Sequence, residues 1–68
     1  MIYMLYEIWA EDEDGHNELL DTTASQKEAF EIAEASLNDG YVSSTVYREN
    51  EEGDSVPVKT FQNNPLDK

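Results

Sequence analysis

A single stretch of the 68-residue chain has the pattern of an amphipathic helix, and strand-like segments lie on both sides of it. Ser25 and Glu28 have the capping-box spacing that begins a helix, and Gly40 suits the left-handed position that ends one. The pattern predicts a helix over residues 26–38. Because one helix covers only one face of a small sheet, this single helix limits how many strand faces can be buried.

Four runs rich in aliphatic, aromatic and β-branched residues predict strands at residues 2–10, 18–23, 41–48 and 56–61. An acidic stretch with one glycine separates the strands within each pair, at residues 11–17 and 49–55. Such stretches are typical of hairpin loops. The chain is therefore predicted to form two hairpins joined by a helix.

Two hairpins joined by a helix most simply give a four-stranded antiparallel sheet with the helix on one face. The first strand is apolar on both sides, which favours a central position next to the third strand and the order 2-1-3-4. That order puts Pro57 on an edge strand, where its missing N–H is tolerated. The predicted class is α+β with ββαββ order, or βαββ if the second run does not pair. We expect one domain over residues 1–61 and a polar, flexible tail over 62–68.

Strand alternation separates the apolar residues into two sets. We expect the helix to cover the first set, which predicts a core of Met4, Tyr6, Ile8, Leu20, Phe30, Ala33, Leu37, Val42, Val46 and Val58. The second set lies on the opposite face and has the aromatic composition of protein interfaces. The sequence thus predicts an interaction surface for a protein partner or a second copy. The alternatives are that the C-terminal tail packs over these residues or that they are singly exposed, as surface apolar residues often are. The predicted surface residues are Tyr3, Leu5, Trp9 and Tyr47.

The chain is strongly acidic, with sixteen Asp and Glu against four Lys and Arg and a formal net charge of −12. This balance argues against direct binding to nucleic acid or to an anionic membrane surface, because both require cations. The acidity either maintains solubility or forms a DNA-mimic-like decoy that inhibits a basic nucleic-acid-binding protein. The predicted acidic surface is Glu11, Asp12, Glu13, Asp14, Glu28, Glu31, Glu34, Glu49, Glu51, Glu52 and Asp54.

No pattern of a catalytic, metal or cofactor site is recognisable in the sequence. An EF-hand alignment of the first acidic loop would put Ala10 at a ligand position that needs a carboxylate. His16 is the only histidine and the chain has no cysteine, so the usual zinc ligands are missing. We therefore expect a non-enzymatic interaction module of bacterial or phage type. The lack of cysteine, of a signal peptide and of a long apolar run favours the cytoplasm.

Overall fold

A computed structural model describes residues 4–62 of the chain. The elements within them are β1 (Leu5–Glu11), β2 (Asn17–Thr23), α1 (Gln26–Ser36), a 3₁₀ turn (Leu37–Asp39), β3 (Ser43–Glu49) and β4 (Ser55–Gln62). The sheet has the order β2-β1-β3-β4, all neighbours are antiparallel, and α1 packs against one face. The predicted α+β fold, ββαββ order and strand order are confirmed, and the second strand forms.

The predictions made for the two ends of the sequence lie partly outside the described residues. β4 reaches Gln62, the first residue of the predicted tail, and the rest of that prediction lies outside the described residues. The start of the predicted first strand also lies outside them. Pro57 lies on β4, which is an edge strand, as predicted, and there the missing N–H of proline is tolerated.

The start of α1 is capped, although only half of the predicted capping box forms. The Ser25 hydroxyl accepts a hydrogen bond from the Glu28 amide at 3.2 Å. The Glu28 carboxylate instead accepts from the Thr23 hydroxyl at 2.6 Å, and that hydroxyl accepts from the Ser25 amide at 3.2 Å. The cap therefore ties the helix to the end of β2. α1 ends at Ser36, the 3₁₀ turn follows, and Gly40 takes the predicted left-handed conformation with φ 103°.

β2 contains a bulge at the second of two adjacent leucines, which lie on opposite faces of the sheet. Ile8 pairs with Asp21 and Trp9 pairs with Leu19, so Leu20 is the additional residue. Leu20 packs against the core, as predicted. Leu19 lies opposite Trp9 on the other face and is 44% exposed.

β4 contains a second bulge, which overturns one core prediction. Val46 pairs with Lys59 and the next β3 residue pairs with Pro57, so Val58 is additional. The extra residue breaks the alternation on which its assignment depended, and Val58 is exposed. Phe61 packs against the core instead.

The core lies between α1 and the two central strands. Met4 and Val42 were predicted to belong to it but are exposed, because each lies one residue before a strand begins. Leu37 is only half-buried, in the 3₁₀ turn. The buried apolar residues are Tyr6, Ile8, Ala10, Ala29, Ala33 and Val46, and Leu20, Phe30, Ile32 and Phe61 pack around them. The rings of the two phenylalanines meet edge to face, with their centroids 5.7 Å apart.

Candidate interaction surface

The face of the sheet that points away from α1 is called here the uncovered face. Leu5, Glu7 and Trp9 belong to it, because the alternating neighbours Tyr6 and Ile8 are buried beneath α1. Across β3 the residues opposite these three are Glu49, Tyr47 and Thr45. Three predicted surface residues, Leu5, Trp9 and Tyr47, therefore share one face and are each half-buried. Tyr3 lies outside the described residues.

Two residues of this face were not included in the predicted surface. Leu19 extends the apolar area from Trp9 onto β2. Glu7 accepts a hydrogen bond from the indole Nε1 of Trp9, with 3.2 Å between Nε1 and Oε1. Alternation in the sequence already puts Glu7 on this face, between Leu5 and Trp9, and it also separates Leu19 from the core leucine that follows it. The face therefore has an apolar area with a carboxylate held within it.

A groove of about 420 Å³ crosses the uncovered face. Each strand contributes to its lining, so the groove runs across the whole width of the sheet. Its volume lies within the range of about 300–1,000 Å³ that is typical of ligand pockets. The lining residues are Glu7, Trp9, Asn17, Tyr47 and Ser55.

Charge is distributed unequally between the two sides of the sheet. Glu7, Glu11 and Glu49 lie on the uncovered face by strand register. Within residues 4–62, each Lys and Arg lies on the other side: one on α1 and two on strand positions opposite core residues. The uncovered face therefore carries negative charge without a cation of its own in the described part of the chain. These cations are Lys27, Arg48 and Lys59.

The loop between β1 and β2 is organised around Asp12. Its Oδ1 accepts hydrogen bonds from the amides of Asp14 at 2.9 Å and His16 at 3.0 Å. The Gly15 amide donates to the Asp12 carbonyl at 3.1 Å, and Gly15 has φ 87°. The His16 amide is the main reason that the pKa of the Asp12 carboxyl lies below its ordinary value of 3.8. This carboxylate therefore closes the loop.

The loop between β3 and β4 repeats this geometry with an uncharged residue. Asn50 takes the place of Asp12, and its Oδ1 accepts from the amides of Glu52 at 2.9 Å and Asp54 at 3.0 Å. The Gly53 amide donates to the Asn50 carbonyl at 3.0 Å, with φ 89°. A short polar side chain followed by glycine three residues later therefore builds both loops.

The predicted acidic surface is spread over the molecule. Because β1 and β3 are antiparallel, the two hairpin loops lie at opposite ends of the sheet, about 20 Å apart for strands that rise ~3.3 Å per residue. Glu28, Glu31 and Glu34 are exposed on α1, which runs between these ends. Loss of hydration and, after it, the charge of Glu18 raise the pKa of Tyr41 above its ordinary value of 10.0. Within residues 4–62, no Lys or Arg lies within 4.0 Å of a carboxylate oxygen.

The first acidic loop brings three metal-ligating side chains together. Asp12, Asp14 and His16 each offer a ligand atom within 4.8 Å of the others. The Asp12 carboxylate already closes the loop through two backbone amides, and its Oδ2 lies 3.6 Å from His16 Nδ1. Loop closure therefore accounts for this arrangement.

No protein-family model, curated protein or solved structure matches this chain. In the part that the structure describes, α1 has eleven residues and none of the helical segments is long and apolar enough to cross a membrane.

Proposed function

We propose that this chain is a non-enzymatic protein-interaction module that binds another protein through the uncovered face of its sheet. The observation that carries the proposal is the grouping of Leu5, Trp9, Leu19 and Tyr47 on one face that α1 leaves free. Trp and Tyr supply much of the binding energy in protein interfaces, because they bury a large area with little loss of conformational entropy.

The charge of this face favours a different protein over a second copy. A symmetric dimer through the uncovered face would bring Glu7, Glu11 and Glu49 close to their equivalents, between two chains of net charge −12. Like charges brought together across an interface cost free energy, whereas a basic partner would be attracted. We also propose a cytoplasmic location, which fits the cysteine-free sequence.

A selection experiment tests the proposed surface. Peptides are selected from a random displayed library on the wild-type protein, and their affinities are then measured for two variants. Trp9→Ala removes the centre of the face, and Tyr41→Ala removes an aromatic residue that lies outside it. We expect Trp9→Ala to weaken binding about 30-fold, equivalent to ~2 kcal/mol, and Tyr41→Ala to leave it unchanged. Peptides that bind Trp9→Ala as tightly as wild type would contradict the proposal.

Sedimentation velocity over a range of concentrations tests the choice of partner. If the partner is a different protein, this chain should be a monomer at every concentration when no partner is present. A dimer that Trp9→Ala dissociates would retain the uncovered face as an interface and would show that the partner is a second copy.

A second candidate function, the DNA-mimic-like decoy, is favoured by the arrangement of carboxylates that have no Lys or Arg partner within residues 4–62. Glu28, Glu31 and Glu34 follow α1 at intervals of about 4.5 Å, between two acidic loops. A decoy would bind a basic groove through these groups, and its affinity would fall steeply as salt is added. Replacing the three glutamates together by Gln would weaken a decoy and would spare binding at the uncovered face.

A further inference from the structure

We infer that the groove on the uncovered face binds an arginine side chain of the partner protein, with the guanidinium on the Glu7 carboxylate and against the rings of Trp9 and Tyr47. This inference rests on the proposed function, because it assigns the chemistry of the partner at that surface.

The lining of the groove has the composition of a cation site. Two aromatic rings, from Trp9 and Tyr47, share it with one carboxylate, from Glu7. The face of an aromatic ring attracts a cation, and Trp does so most strongly. A carboxylate beside such rings adds a charge-assisted hydrogen bond. An apolar side chain would leave the charge of this carboxylate without a cation, because the Trp9 indole that hydrogen-bonds to it is neutral, so the combination selects a cation.

The position of Glu7 within the sheet makes it available to a ligand. It lies opposite Tyr47 in the β1–β3 register, so its carboxylate and the phenol ring are cross-strand neighbours. Trp9 donates one hydrogen bond to Oε1, while an ionised carboxylate has about four acceptor positions. The indole therefore holds the side chain in place and leaves acceptor capacity for an incoming donor.

Arginine fits these groups better than lysine. Its planar guanidinium can stack on an aromatic ring and present two parallel N–H donors to a carboxylate at the same time. An ammonium group offers a point charge and is more strongly hydrated. The groove spans all four strands, so the arginine can belong to a longer basic segment that crosses the sheet.

The electrostatics of the molecule support the same ligand. The uncovered face carries three carboxylates, and within residues 4–62 each Lys and Arg lies on the other side of the sheet. No described side chain of the protein therefore competes for the groove with a cation of its own. The net charge of −12 adds a long-range attraction for a basic segment.

A single arginine on a short peptide tests the site directly. The probe is a capped Gly-Gly-Arg-Gly-Gly peptide, and the control has neutral citrulline in place of arginine. Trp9 is the only tryptophan, so its indole N–H gives one resonance that reports on the groove. At an ionic strength of about 0.15 M, which screens distant charges, we expect a saturable shift of this resonance with the arginine peptide and none with the citrulline peptide.

Two variants that each remove one negative charge distinguish binding in the groove from general electrostatic attraction to the acidic chain. Glu7→Gln removes the carboxylate from the groove, and Glu13→Gln removes one from the exposed loop beyond β1. We expect Glu7→Gln to weaken binding of the arginine peptide about tenfold, a loss expected when a charged partner is removed, and Glu13→Gln to leave it unchanged. Equal weakening by the two variants, or no shift of the wild-type indole, would overturn the arginine site.

The peptide selection distinguishes failure of this inference from failure of the proposed function. Selected peptides that depend on Trp9 and contain arginine support both. Peptides that depend on Trp9 but bind equally well after arginine is replaced by citrulline overturn the arginine site and retain the interaction surface. Peptides that do not depend on Trp9 overturn the proposed function, whatever their composition.

Discussion

Ile8 and Trp9 are adjacent in β1, yet their side chains lie in opposite environments. Ile8 is fully buried beneath α1, and Trp9 lies half-buried on a face that no described element covers. Alternation along the strand creates both environments from one short sequence. In this 68-residue chain, the side of the sheet beneath α1 stabilises the fold, and the other side contributes less to the core.

The largest expected loss of stability comes from a substitution on the side of the sheet that α1 covers. Ile8→Ala should destabilise the protein by about 2–5 kcal/mol, because the lost methyl groups leave a cavity between α1 and the sheet. Stability of ~0.05–0.15 kcal/mol per residue leaves little margin in so small a domain. Urea denaturation followed by circular dichroism measures the change. A midpoint near that of the wild type would show that α1 does not pack as described.

Trp9→Ala changes the residue next to Ile8, on the uncovered face, and should lower the free energy of unfolding much less than Ile8→Ala does. Full burial of a large apolar side chain contributes about 1.5–3 kcal/mol, so half-burial predicts a loss of about 1 kcal/mol. The same urea titration provides the comparison. If Trp9→Ala destabilises the protein as much as Ile8→Ala, the two sides are equally important for stability and the distinction between them is wrong.

Ser44→Ala should change stability in the opposite direction. Ser44 is buried on the covered side opposite Ala10, and its hydroxyl has no hydrogen-bond partner within residues 4–62. A buried polar group without a partner costs about 1–3 kcal/mol, so its removal should raise stability by about 1 kcal/mol. Thermal melting of the variant beside the wild type tests this. A lower melting temperature would mean that the hydroxyl makes a stabilising contact.

The smallest expected effect on stability concerns Asp12, in the loop between β1 and β2. This loop helps to fix the pairing of the two strands, and the pairing determines which residues lie on each face of the sheet. The folded-state pKa of Asp12 is lowered, so its contribution to stability is present above pH 3.8 and is lost as the pH falls through the lower folded value. Asp12→Asn retains the acceptor that Asn50 uses in the other loop and removes the charge.

Melting temperatures between about pH 2 and 5 should therefore fall more steeply with acidification for the wild type than for Asp12→Asn. The two proteins differ only at residue 12, so the difference between the two curves isolates this residue. Parallel curves would show that the loop is closed without the charge of Asp12.

The sequence predicts the order of the elements and the two sides of β1, because both depend on local patterns. Capping residues, turn glycines and alternation determine them within a few positions of the chain. Val58 shows where this reasoning ends: its place depends on a bulge, and a bulge depends on how β4 pairs with a strand from elsewhere in the sequence. Ala10 and Ala29 were not included in the predicted core, although the same patterns reach them: Ala10 lies two residues after Ile8, and Ala29 lies one helical turn before Ala33.

The surface could be predicted in part for the same reason. Leu5, Trp9 and Tyr47 follow from alternation in two strands. The groove does not, because its shape depends on the twist of all four strands and on the contact between Glu7 and Trp9. The spread of the acidic residues over both ends of the sheet likewise requires the pairing of β1 with β3.

The two bulges have a consequence for the protein at high concentration. β2 and β4 form the outer strands, and each is interrupted near its middle, one of them beside a proline. An uninterrupted outer strand presents a row of free backbone groups on which further chains can stack into fibrils. The interruptions break that row on both margins of the sheet. The margins of the sheet therefore resist ordered aggregation although no described element covers the aromatic residues of the uncovered face.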